Sequence, residues 1–100
     1  MDKDVIDWLL HDIDDFQIEL GKAFLGKFNS IYHETKSILH RLSEGLVRED
    51  WLEIIITWSQ LNSIYVILTD YCIKENQLNE IRDRLGNIIE LLGNHINLSI

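Results

Sequence analysis

The sequence predicts an all-α fold: an antiparallel helical bundle of three long helical segments, or four if the first helix breaks near Gly21–Asn29. Three observations predict it. Apolar residues recur at steps of three and four, which is helical spacing and not strand alternation. Proline is absent, which argues against a turn-dense β fold and favours long helices. One hundred residues, 46 % apolar and 26 % charged, make one small globular domain over 1–100, not a disordered chain.

The first segment is expected from Asp4 to Leu42. Its apolar line runs Ile6, Leu9, Ile13, Phe16, Leu20, Phe24, Phe28 and Ile31, then Ile38 and Leu42 past the polar Thr35. Between Phe16 and Phe28 every step is four, so the line rotates around the axis there. Gly21 and Gly26 fall in the same stretch, and each glycine weakens a helix interior by about 1 kcal/mol relative to alanine. Unbroken, the segment would span ~58 Å, too long for a compact bundle of this size, so a bend or split is expected.

Ser43-Glu44-Gly45 reads as the stop, with Gly45 as the left-handed residue beyond the helix end. Asp50 then reads as the N-cap of a second segment. Glu53 is placed to reach back to the Asp50 amide as a capping box. A connection this short makes the two segments antiparallel neighbours, with Trp51 clamping the hairpin.

The second segment, Trp51 to Ile73, is apolar on two faces. One holds Trp51, Ile55, Trp58, Leu61, Tyr65 and Leu68, the other Leu52, Ile56, Ile64, Ile67 and Tyr71. Such a helix is expected to be covered on both flanks, as the central rod of the fold or in a homodimer. Asn76 is a candidate N-cap for the third segment. Leu78, Ile81, Leu85, Ile88 and Leu92 form its seam, and Gly93-Asn94 its expected end.

Composition narrows the function. There are 17 acids and 9 bases, a net charge of −8. Phosphate binding needs clustered Lys and Arg, so nucleic acid is not expected as a partner, and anionic membranes would repel the chain. The acidic start Met1-Asp2-Lys3-Asp4 does not look like a signal peptide, and Glu53, Gln60, Asn62 and Asp70 interrupt the longest apolar run. With one free cysteine, Cys72, these features lead us to expect a cytoplasmic protein with no cofactor. Charge is uneven. Residues 1–20 hold seven acids (Asp2, Asp4, Asp7, Asp12, Asp14, Asp15, Glu19) and one base, Lys3.

Several groups could carry chemistry. Asp7, His11 and Asp15 share a helix face and could bind a divalent metal or move a proton. The competing reading is a solvated acidic face. His33 and His40 are seven apart and lack a third ligand, so ordinary polar surface is expected of them. Cys72 reads as a buried structural thiol. No phosphate-binding loop, nucleophile elbow or zinc-protease motif is present, and no enzyme is expected. Trp8 stands outside the apolar line, among acids, where an apolar ring can grip a basic amphipathic helix or pack against the C-terminal seam.

The junction Leu39-x-x-Leu42-Ser43-Glu44, followed by Asp50-Trp51-Leu52-Glu53-Ile54-Ile55, resembles that of FliT-type flagellar export chaperones. The segment Leu85-Gly86-Asn87-Ile88-Ile89-Glu90-Leu91-Leu92-Gly93-Asn94 is similar to their C-terminal helix. The resemblance covers residues 38–70 and 81–96 and implies binding of a secreted subunit's terminal helix.

The expectation is therefore a small acidic adaptor or export chaperone that holds an amphipathic helix of one protein partner. Trp8, Asp12, Asp15, Leu85, Ile89 and Leu92 are its contact residues, and a homodimer is left open. One alternative is an immunity or antitoxin-type inhibitor whose acids cover a basic cleft. A second is a metal- or proton-handling enzyme built on Asp7, His11 and Asp15.

Overall fold

The computed structural model describes residues 2–24, 29–74 and 78–99; side chains at 29, 71–74 and 97–99 lie outside the description. Four helices account for the described chain: α1 Lys3–Ala23, α2 Asn29–Arg48, α3 Trp51–Lys74 and α4 Asn79–Ser99. They pack as a ring, each against its two neighbours in order, with α4 closing onto α1. Thus α1 and α3 face each other across the diagonal. The bundle measures 38 × 20 × 20 Å.

The first segment does split. α1 starts on Asp2, whose carboxylate accepts from the Asp4 amide at 3.2 Å, and ends at Ala23 with Phe24 as C-cap. Gly21 lies inside α1 beside Tyr32; a Cβ there would stand 3.5 Å from the hydroxyl, an ordinary contact. Gly26, Phe28 and the centre of the expected break lie outside the described residues. The apolar line from Ile6 to Phe24 is buried throughout, as its spacing predicts.

The expected stop at Ser43-Glu44-Gly45 is corrected. α2 continues to Arg48, and Gly45 is helical and buried against Glu53 and Ile54. A missing side chain there serves close helix packing, not a left-handed turn. The left-handed residue is Glu49, φ 53°. The Asp50 amide donates to the Gly45 carbonyl at 2.9 Å and the Glu49 amide to the Leu46 carbonyl at 3.3 Å, the paired bonds of a Schellman motif. Asp50 then caps α3 by accepting from the Glu53 amide at 3.3 Å. The reciprocal bond expected from Glu53 is not made, because the Asp50 amide already serves α2. The Glu53 carboxylate faces Arg41 instead, at 4.0 Å.

α3 spans its expected range but is not a sheathed central rod. Its buried line is Ile54, Thr57, Leu61, Ile64 and Leu68, a phase that matches neither apolar face read from the sequence. Trp51, Ile55, Trp58 and Tyr65 are half-buried against the core, with Trp51 at the hairpin as expected. Leu52, Ile56, Val66 and Ile67 are exposed. An equal member of a four-helix ring offers only one face to the core and two flanks to its neighbours, so the fourth side stays uncovered.

α4 buries Leu78, Ile81, Leu85, Ile88 and Leu92 as expected, and adds Ile96, because the helix runs through Gly93-Asn94 to Ser99. Asn76, the expected N-cap, lies outside the described residues. Gly86 and Gly93 are notches rather than stops. A Cβ at Gly86 would stand 3.0 Å from the Tyr65 ring, and one at Gly93 would stand 3.3 Å from the Trp58 ring. Both pairs are seven residues apart on their helices, which sets the antiparallel register of α3 on α4. Trp58 completes the fit by donating from Nε1 to the Ile89 carbonyl at 2.9 Å.

Candidate functional site

Two outward lines stand out on opposite sides of the ring. On α1, burying Ile6, Leu9, Ile13 and Phe16 turns Asp4, Trp8, His11, Asp15 and Ile18 to the solvent side. Their steps of four and three keep them on one line. Trp8 is 54 % exposed and Ile18 58 %, and they are separated by about 15 Å along the axis. Asp4 and Asp15 flank the tryptophan at one and two turns. His11 Nε2 lies 3.4 Å from Asp15 Oδ2, an exposed pair worth little to stability. Asp12 is half-buried beside this line and lies 3.8 Å from the Arg84 guanidinium, tying α1 to α4.

The six residues expected at a partner interface therefore separate. Trp8 and Asp15 are exposed and close together. Asp12 is half-buried and partnered by Arg84. Ile89 is half-buried against the core, and its carbonyl accepts from Trp58. Leu85 and Leu92 have no exposed surface. Their regular spacing marks the seam that closes the bundle, and a partner cannot reach them in the folded chain. The signal that was missed is Ile18. It lies off the buried line at the same angular side as Trp8, visible once the phase of α1 is known.

Of the other candidates, Asp7 is exposed beside the His11–Asp15 pair. Among the described residues no group of three or more His, Cys, Asp or Glu is placed to hold a metal ion. His40 Nε2 lies 3.4 Å from the Glu44 carboxylate, and His33 packs its ring edge-on to Tyr32 at 5.3 Å between centroids. These contacts lie within one helix, and among the described residues no third ligand joins either histidine. The Cys72 side chain lies outside the description.

An open cleft of about 410 Å³ lies between α3 and α4, lined by Asn62, Tyr65, Asp83, Gly86, Asn87, Ile89 and Glu90. It forms where the glycine notch meets Tyr65. Asn62 spends its amide on the Trp58 carbonyl at 2.9 Å. Asp83 pairs with Arg82 at 3.0 Å.

The second outward line is on α3: Leu52, Ile56, Ser59, Ser63 and Val66, with Ile67 beside it. The stretch Trp51–Asp70 is long and apolar enough to cross a membrane by length and composition, yet only 28 % of its apolar window is buried in the bundle. No family model, curated protein or solved structure matches the chain.

Proposed function

We propose that this protein is an adaptor or export chaperone that holds a basic amphipathic helix of one protein partner along the outer line of α1. The observation that carries the reading is Trp8, 54 % exposed and in line with Asp4, Asp15 and Ile18. A large ring left half in water still has apolar surface to bury. Covered by a partner, it becomes the kind of buried aromatic anchor that dominates binding energy. Ile18 supplies a second anchor about three turns away, within reach of one partner helix. Asp15 between those anchors and Asp4 one turn before Trp8 set orientation and speed association with basic side chains. The resemblance to FliT-type chaperones supports the same class of partner, an exported subunit's terminal helix.

The test is affinity capture by the full chain from the source cells, followed by kinetics of the purified captured protein against variants. Trp8→Ala is expected to weaken affinity at least ~10-fold, mainly through faster dissociation. Asp15→Lys is expected to slow association, and rising salt to do the same. Both variants should melt like the parent, since both positions are exposed. A captured partner indifferent to both substitutions refutes the reading. One that responds to Asp15→Lys alone favours an inhibitor-type acidic cover over a basic cleft.

A further inference from the structure

His11 stands in the middle of the outer line of α1. Building on the function just proposed, we infer that protonation of His11 releases the basic helix held there, which makes the site pH-regulated. His11 follows the Trp8 anchor by one turn and precedes the Ile18 anchor by two. A partner helix that spans both anchors must pass over it. Its Nε2 lies 3.4 Å from Asp15 Oδ2, and both side chains are exposed. Asp15 is also the acid between the two anchors, so the histidine and the partner draw on the same carboxylate.

The two protonation states treat a basic partner oppositely. Neutral His11 leaves the Asp15 carboxylate its full charge for an ammonium or guanidinium group. The imidazolium takes that carboxylate for itself, as an ion pair across one turn of α1. It also places a positive charge between the anchors, facing a positive partner. Covering the imidazolium would cost its hydration as well. All three effects have one sign. The complex excludes a proton that the free chain takes up, so affinity is full at high pH and falls as the pH drops through the histidine range.

The surrounding charges leave this competition intact. On α1, Asp7 and Asp14 are exposed at i−4 and i+3 from His11, and Asp12 is half-buried beside it. From α4 the cation at this level is Arg84, 3.8 Å from Asp12. His95 lies about three turns further along α4. Because Gly21 meets Tyr32, residue 42 of α2 is level with His11. The charged groups around residue 42 are His40 and Glu44, 3.4 Å apart, and Arg41, which donates to Gln60 of α3. Among the described residues, the ion pair of Asp15 is with His11.

The probe is a synthetic amphipathic helix of leucine and lysine, about 18 residues long and blocked at both ends, with no group that titrates between about pH 5.5 and 8. Its affinity for the full chain is measured by calorimetry at both ends of that range. The parent should bind about fivefold or more weakly at the acid end, and near pH 6 binding should release up to about one proton. In His11→Gln the two affinities should differ by less than about twofold, while His40→Gln and His95→Gln should keep the parent's ratio. Trp8→Ala should weaken binding at both pH values. A parent with level affinity overturns the inference, as does a fall that survives His11→Gln. If Trp8→Ala still weakens binding in that case, the proposed function stands without its switch. A probe that does not bind, or that binds Trp8→Ala as tightly as the parent, overturns the proposed function and the inference together.

Discussion

Glu49 offers a sensitive test of how the α2–α3 hairpin is built. The turn has two residues, and its geometry requires Glu49 at φ 53° so that the Asp50 amide can reach Gly45 and the Glu49 amide can reach Leu46. A residue with a Cβ is strained there by about 1–2 kcal/mol, because the Cβ crowds the following carbonyl oxygen. Glycine removes that strain but has more freedom to lose from the unfolded chain, about 0.5–1 kcal/mol relative to alanine. Glu49→Gly should therefore stabilise the protein by about 0.5–1 kcal/mol. For a domain of this length, 1 kcal/mol moves the melting temperature by roughly 4–8 °C, so a rise of about 2–8 °C is expected. Glu49→Ala is the control. It removes the exposed carboxylate and keeps the Cβ, and should melt close to the parent. The assay is thermal and urea unfolding followed by circular dichroism at 222 nm, with the three proteins side by side. The difference between the Gly and Ala variants isolates the backbone contribution from that of the charge. A Gly variant that melts at or below the Ala variant would refute the left-handed assignment and the Schellman closure built on it.

Two further outcomes follow from the core. The Thr35 hydroxyl is buried without a hydrogen-bond partner among the described residues, whereas the Thr57 hydroxyl donates at 2.7 Å to the Glu53 carbonyl. Thr35→Val should raise stability by about 1 kcal/mol and Thr57→Val should not, as read by urea midpoints. Leu85→Ala, at a position with no exposed surface, should cost about 2–5 kcal/mol; Trp8→Ala should stay within about 0.5 kcal/mol of the parent, in the same denaturation series.

Helix content and the buried residues of α1 and α4 were legible in the sequence, because each of those helices alternates apolar and polar faces. Ile6, Leu9, Ile13, Phe16 and Leu20, like Leu78, Ile81, Leu85, Ile88 and Leu92, have one way to turn inward. The α2–α3 junction was legible as a place and not as a geometry. Gly45 looks like a terminator because glycine tolerates positive φ, but here its value is the space it leaves for Glu53 and Ile54. The acid at position 49 took the strained conformation instead. Leu85 and Leu92 illustrate the same limit for function: a regular seam does not say whether another helix of the same chain already fills it.

Apolar spacing, absent proline and the acid–base balance by themselves determined an acidic all-α bundle with its first and last helices correctly faced. Only the tertiary structure decided the phase of α3, and with it which apolar residues are left in water. The reason is geometric. A helix apolar on two faces has no single preferred inward direction of its own. Its orientation is imposed by the neighbours, through the Gly86 and Gly93 notches that receive Tyr65 and Trp58 and the Gly45 surface that receives Ile54. Once those contacts turn Ile54, Leu61 and Leu68 to the core, Leu52, Ile56 and Val66 must point outward.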